Sequence, residues 1–349
     1  MIVKNEQECL GRCLKSVKGL FDEIVIVDTG SSDKTIEIAK SYGANVFHFD
    51  WIDDFSAARN FSFKNSTCDY VMWLDADDVV ENEDFLWLQQ LKLKLDGSVD
   101  VYMLKYHIAF DIQNNPTFSY YRERILKNDG SFVWQGAVHE VITPHGKIEY
   151  CNAAIRHKKK LTSSNPKRNL KIYRKLLKIR PLISREQYYY GRELFYNGYL
   201  KKCISVLKSF VANSDGWIED KIGALEILCN CYMKLKQYYN AKSTIFTAFE
   251  LSEPRPWMCC MLGDCFFAEN QLQKAISWFE FATNCHIGEN GFVQHSYSFL
   301  YPTLRLCQCY YFLGDYKKSK ECNDQILEID PKNKSAIFND QLFQSLNFK

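Results

Sequence analysis

In Asp69-Tyr70-Val71-Met72-Trp73-Leu74-Asp75-Ala76-Asp77-Asp78 an apolar run, Tyr70 to Leu74, breaks off into three carboxylates within four positions. The run predicts a strand buried on both faces. Side chains alternate along extended backbone, so Asp75 and Asp77 project to one side just past its carboxyl end. In open α/β sheets that edge is where ligands sit. Two carboxylates so placed repel unless a cation lies between them, and hard oxygen donors suit Mg²⁺ or Mn²⁺ carried together with substrate phosphates. Asp is also an ordinary turn residue that can cap the next helix. These ten residues by themselves leave a cation site and a plain acidic turn both open.

Upstream, the pattern alternates. Met1 to Glu6 starts inside a first strand, and Cys9, Leu10, Cys13, Leu14 and Val17 recur at helical spacing. Ile24-Val25-Ile26-Val27 is a continuous apolar run, hence a buried parallel strand. It ends in Asp28-Thr29-Gly30-Ser31-Ser32-Asp33, where Gly30 permits a tight turn and a Ser can cap the helix that follows. Val46 to Phe49 reads as a third strand and Phe55 to Phe63 as a short helix. Such alternation predicts βαβ units on a parallel sheet. Asp28 then joins the Asp75/Asp77 pair at strand carboxyl ends facing one crevice, where an Asp can accept hydrogen bonds from a ribose or base. No G-x-G-x-x-G and no G-x-x-x-x-G-K-[ST] is present, which disfavours a dehydrogenase and a P-loop kinase.

Composition narrows the class. With 349 residues the chain exceeds what one core usually serves, so two domains are expected. Hydrophobic content of 46%, charged content of 25% and a net charge of +2 describe an ordinary globular chain, with nothing that announces a nucleic-acid or membrane-surface binder. No apolar stretch approaches the ~18 residues of a membrane span, and Met1 to Glu8 lacks a signal-peptide layout. The 14 cysteines form no C-x-x-C pair and fall largely in helix-like apolar patterns, so a reduced, cytoplasmic protein is the expectation.

Taken together, Met1-Ile2-Val3-Lys4-Asn5-Glu6, Glu23 to Asp33, Asp54-Phe55-Ser56-Ala57-Ala58-Arg59-Asn60 and Trp73-Leu74-Asp75-Ala76-Asp77-Asp78 resemble, in order and spacing, family 2 glycosyltransferases of the GT-A fold. The resemblance covers residues 1–160 and implies an α/β, Rossmann-like domain that binds a nucleotide-sugar. It implies that Asp28 contacts the uracil or ribose, that the backbone from Val3 to Asn5 is the first nucleotide-contacting strand, and that Arg59 reaches the base or diphosphate. Asp75 and Asp77 match the D-x-D motif, with Asp77 the more direct ligand of Mn²⁺ or Mg²⁺. The first strand is shorter than the family's, so nucleotide affinity suffers if the true start lies upstream.

Beyond the motif, Val101 to Phe110 extends the sheet. Arg122 to Leu126 and then Phe132-Val133-Trp134-Gln135-Gly136-Ala137-Val138-His139-Glu140 resemble the acceptor-side segment of the same family. Inverting transfer needs a base to deprotonate the acceptor, and Glu140 is the choice, against the alternative that it merely bonds backbone in a turn. His139 is a weaker donor-side candidate. Trp134 either stacks on the sugar or fills the core. His157, at the end of Ile155-Arg156-His157, matches by position a late His that completes metal or diphosphate binding in GT-A enzymes. The lysines at 158, 159 and 160 form either a solvated linker or a diphosphate clamp.

After the polar, Pro-containing joint at residues 161–166 only helical periodicity remains. Residues 161–187 are expected as linker and connecting helix, and 188–349 as a repeat domain. Gly263, Phe266, Asn270, Ala275, Phe279 and Ala282 fall at the offsets of a tetratricopeptide repeat, with further copies around Cys229 to Pro254, Tyr310 to Pro331 and, degenerate, Gly191 to Leu207. Their anchors Cys203, Ala241, Ala275 and Ser319 lie 38, 34 and 44 residues apart, and small residues are needed there because paired helices cross closely. The array predicts an all-α solenoid that grips a peptide or partner protein, braces the first domain or mediates a homodimer. Tyr188, Tyr189 and Tyr190 are expected to be exposed, in a groove or against the first domain.

The joined architecture resembles bacterial glycosyltransferases that modify peptides or proteins, including the peptide S-glycosyltransferases of glycosylated bacteriocins. A metal-dependent, inverting transfer from a UDP-sugar to a peptide or protein follows from that resemblance. Two alternatives stand beside it: transfer to a cell-envelope saccharide or lipid-linked acceptor, and a non-catalytic adaptor in which an inactive GT-A domain accompanies the repeats.

Overall fold

Three short strands, β1 (Ile2–Val3), β2 (Val25–Asp28) and β3 (Asn45–His48), form a parallel sheet in the order β1-β2-β3 in the computed structural model. The model describes residues 1–110, 114–158, 167–213, 215–285 and 297–345. Every residue of β2 is buried, as its unbroken apolar run requires. Helices α1 (Leu10–Ser16) and α2 (Thr35–Ser41) follow the first two strands. Leu10, Leu14, Ile26 and Ala39 close the core between them. The serine cap expected for α2 is not formed: its N-cap residue is Lys34, whose side chain makes no cap hydrogen bond, and Asp33 Oδ1, just before it, accepts the Thr35 N–H at 3.0 Å. Helix α3 (Phe55–Lys64) starts at Asp54, whose carboxylate accepts the Ala57 N–H at 3.0 Å.

The acidic motif departs from the expected layout. Only Tyr70–Met72 is strand (β4), its outer residues are half-buried, and it pairs antiparallel with β7 (Pro116–Lys127). The parallel alternation therefore stops after β3. β4 belongs to a second, mixed sheet of order β4-β7-β6-β8-β5, completed by β5 (Asp78–Val79), β6 (Val101–Phe110) and β8 (Ile148–His157). Trp73 and Leu74 are still buried, but as a connection between β4 and β5. Helix α4 (Asn82–Lys92) covers this sheet through Leu88 and Leu91, which pack with Leu104, Ile125 and Ile155.

The chain divides into two units, Met1–Arg180 and Pro181–Lys349. Helix α5 (Arg168–Leu176) falls in the first: Leu170, Ile172 and Tyr173 are buried, the Tyr173 hydroxyl donates to Val138 O, and Lys175 bonds Asp53. The joint at 161–166 lies outside the described residues.

The second unit is helical among its described residues: α6 (Ser184–Tyr196), α7 (Leu200–Ala212), α8 (Ile218–Lys234), α9 (Tyr238–Leu251), α10 (Pro256–Ala268), α11 (Leu272–Asn284), α12 (Leu300–Leu313), α13 (Tyr316–Ile329) and α14 (Lys334–Ser345). The anchors Cys203, Ala241, Ala275 and Ser319 are all 0% exposed. Close approach is why: a Cβ on Gly263 would lie 2.5 Å from Phe279, and one on Gly191 2.2 Å from Leu207. Tyr188 and Tyr190 are buried within this unit, not exposed. The ring of Tyr188 packs onto Phe210 and its hydroxyl lies toward Gly223, while Tyr190, two positions on and so on another face of α6, is buried as well. Among the described residues no helix is long and apolar enough to cross a membrane.

Candidate active site

Helix α3 delivers two consecutive side chains to one place. Arg59, 8% exposed, donates through Nε to Glu140 Oε1 at 2.6 Å and through Nη2 to Asp75 Oδ1 at 2.7 Å. Its guanidinium lies 4.7 Å from the ring centroid of Trp134 and 5.2 Å from that of Trp73. Asn60 exchanges hydrogen bonds of 3.0 and 2.8 Å with the backbone of Trp134. Burial pushes the Asp75 carboxyl up, but the Arg59 and Arg124 guanidiniums more than offset this and hold it at about 2. Burial likewise disfavours the charge on Arg59, yet Asp75 and Glu140 raise its pKa above the ordinary value.

Glu140 reaches this position on a tight loop. Gln135 and Val141 exchange backbone hydrogen bonds of 2.9 and 3.0 Å, and between them Gly136 and His139 take left-handed φ of 99° and 54°. At Gly136 a side chain would be strained, so glycine is required there. Glu140 Oε2 and Asp75 Oδ2 have no protein partner among the described residues. Both residues line a cavity of about 460 Å³.

A second cluster forms where β5 meets β8. The antiparallel register sets Asp78 opposite His157. Asp77, Asp78 and His157 bring one potential ligand atom each within 4.8 Å of the others. His157 Nδ1 lies 3.4 Å from Asp77 Oδ1 and 3.6 Å from Asp78 Oδ1. Hydrogen bonding to Asp77 and then Asp78 raises its pKa to about 9 against the opposing effect of burial. Asp78 is 0% exposed and already bonded through both oxygens: Oδ2 accepts from the Asp75 N–H at 2.9 Å and Arg124 Nη1 at 3.0 Å, and Oδ1 from the Tyr106 hydroxyl at 2.9 Å. Of the three residues that could hold a cation, Asp77 and His157 line the cavity and Asp78 does not. A carboxylate with an imidazole fits Mn²⁺ better than Mg²⁺, with remaining positions open to water or phosphate oxygens.

Of the residues expected from the sequence, Val3, Arg59, Asp75, Asp77, Trp134, His139, Glu140 and His157 line this one cavity. Asp28 and Asn5 are not among its lining residues. Asp28 is 3% exposed and its carboxylate accepts the N–H groups of Gly30 and Ser31 at 3.0 Å, folding over its own loop. Asn5, at φ 56°, accepts the Ser32 N–H at 2.8 Å. Trp134 is 2% exposed and packs with Trp73, Phe132 and Leu126 as core while also lining the cavity. Lys158 bonds Glu81 at 2.8 Å, and the lysines at 159 and 160 lie outside the described residues.

The sequence reading passed over Tyr106 and Arg124. Between Tyr102 and Met103 the β6–β7 register shifts by one, leaving Arg124 as the extra residue of a bulge. A bulge re-aims side chains, and here it accompanies a fully buried guanidinium 3.7 Å from the Trp73 centroid and 4.2 Å from that of Tyr106. Arg124 stands inside the quoted acceptor-side segment, but no local pattern signals the bulge.

Residues 1–146 match the family model Glycosyl transferase family 2, and residues 304–333 match Tetratricopeptide repeat. The chain is 25% identical over 258 residues to the SPbeta prophage-derived glycosyltransferase SunS of Bacillus subtilis, covering 68% of this chain and 59% of that protein. It is 53% identical over 78 residues to a TPR repeat-containing protein of Synechococcus elongatus, covering 22% of this chain and 19% of the relative. Less than two thirds of either relative's length is thus spanned. Among solved structures, MamA from Desulfovibrio magneticus RS-1 superposes with a TM-score of 0.40 at 15% identity, over 49% of this chain and 89% of MamA.

Proposed function

On the premise that residues 1–146 form a glycosyl transferase family 2 domain, we propose that this chain is a metal-dependent, inverting glycosyltransferase using a UDP-sugar, with a peptide or protein acceptor engaged by the repeats. The observation that carries the reading is the meeting, in one cavity, of Asp77 and His157 with a Glu140 held by Arg59. Asp77 and His157 would hold a divalent cation, which when bound would supply positive charge against the leaving diphosphate. Arg59 fixes Glu140 through Oε1 and leaves Oε2 to accept the acceptor's proton. As the acceptor atom bonds the anomeric carbon, the bond from that carbon to the diphosphate oxygen breaks, and UDP departs with the electron pair.

The acceptor assignment rests on the repeats, which in other proteins present a surface for extended peptides. The test is calorimetry with UDP-glucose, UDP-GlcNAc, UDP-galactose and GDP-mannose, each with and without Mn²⁺. Metal-dependent binding of one UDP-sugar is expected. Absence of binding in every combination would leave an inactive domain attached to a repeat adaptor.

A further inference from the structure

We propose that Tyr106 is a positioning residue that ties down Nδ1 of His157, so that Nε2 is the nitrogen this chain offers to a divalent cation. The inference rests on the reading that Asp77 and His157 hold such a cation. It also removes Asp78 from the ligand set and makes it the anchor of that arrangement.

Asp78 and Arg124 form an ion pair at 3.0 Å with both side chains 0% exposed. The guanidinium is wedged between the faces of Trp73 and Tyr106, and it also donates to Trp73 O at 3.2 Å. Its Nε and Nη2 have no hydrogen-bond partner among the described residues, so Asp78, the Trp73 carbonyl and the two rings are what hold this buried charge in place. Withdrawing Asp78 to bind a cation would strand it.

The hydroxyl of Tyr106 has one proton. An ionised carboxylate can only accept, so that proton goes to Asp78 Oδ1 at 2.9 Å. The same oxygen lies 2.9 Å from His157 Nδ1, and the remaining partner role for it is acceptor. Nδ1 must then carry hydrogen. Asp77 and Asp78 stand on the same side of the ring, at 3.4 and 3.6 Å from Nδ1, and both favour that proton too. Nε2 has no protein partner among the described residues, and His157 lines the cavity beside Asp77. A histidine ligand whose second nitrogen donates to an outer partner is fixed in tautomer and in ring orientation. Tyr106 supplies that outer contact from β6, a strand that pairs with β8 in parallel two residues before His157, at Tyr106 and Ile155.

The test uses the full chain with ¹⁵N-labelled histidine and ¹¹³Cd²⁺ as a diamagnetic probe, alongside Mn²⁺ affinity measured by electron paramagnetic resonance. Wild type should show ¹¹³Cd–¹⁵N coupling to Nε2 of His157, with a protonated Nδ1. Tyr106→Phe, which keeps the ring against Arg124, should weaken Mn²⁺ and Cd²⁺ binding by about 10–100-fold with an unchanged far-UV spectrum. Coupling to Nδ1, or unchanged affinity in Tyr106→Phe, overturns the role of Tyr106 while leaving the cation site standing. If wild type binds neither ion, the cation reading fails and this inference with it.

Discussion

Arg59 Nε donates to Glu140 Oε1 at 2.6 Å across 81 residues of sequence. The same guanidinium holds Asp75 at 2.7 Å, so one cation compensates the candidate base and the first aspartate of the acidic motif. Removing it leaves two carboxylates facing each other in a largely buried wall. Arg59→Ala is expected to destabilise the protein by about 3–5 kcal/mol, read as a lower urea midpoint. Arg59→Lys, which lacks the planar fork, should fall between. A loss for Arg59→Ala below about 1 kcal/mol, the range of exposed pairs, would show that the bridge does not matter to the fold.

Glu140→Gln separates structure from chemistry. The amide oxygen can still accept from Arg59, so the melting temperature should stay close to wild type. Sugar transfer should drop by about 10²–10⁴-fold, the range for a general base. Retained turnover in a well-folded variant would move the base elsewhere.

Asp77→Asn tests the cation directly. Loss of an outer partner typically costs about 10–100-fold in metal affinity, and loss of a ligand should cost at least that. Mn²⁺ titration followed by paramagnetic resonance reads the change, and EDTA should abolish donor binding in wild type. Donor binding that survives EDTA would argue against metal dependence.

The pH dependence has a defined sign. Pairing with Asp77 and Asp78 raises His157 to about 9 from an ordinary 6.5. A raised basic group contributes stability that is present in full below about 6.5 and lost as pH rises through about 9. The metal-free protein should therefore lose melting temperature between pH 7 and 9.5 relative to His157→Gln, measured by differential scanning calorimetry. Asp75, held at about 2 from an ordinary 3.8, acts in the opposite window: its contribution is present above about 3.8 and lost as pH falls toward 2. Parallel melting curves for wild type and His157→Gln from pH 6 to 10 would refute the His157 assignment.

In the repeats, Gly263→Ala places a Cβ 2.5 Å from Phe279. Overpacking of this kind costs about 1–3 kcal/mol, visible as an earlier transition in urea by far-UV circular dichroism. An unchanged transition would mean that α10 and α11 separate at little cost.

Local pattern carried much of this protein. The run Ile24 to Val27 specified a buried parallel strand, because continuous apolar residues need cover on both faces. Cys203, Ala241, Ala275 and Ser319 specified where helices cross, because only small side chains fit there. The resemblance of the acidic, arginine and acceptor-side segments to family 2 glycosyltransferases nominated Asp77, Arg59 and Glu140, and all three line one cavity.

Partnership was decided only by tertiary structure. Nothing near Asp78 reveals that strand register sets it opposite His157, 79 residues on, or that a bulge accompanies Arg124 turning inward to neutralise it. Nor does the Asp28 turn disclose from its spacing that the carboxylate closes on its own Gly30 and Ser31 N–H groups. The physical reason is shared. Sequence periodicity records which face of an element is buried, whereas hydrogen-bond partners across strands follow from register, and a one-residue shift in register redirects a side chain to the opposite face.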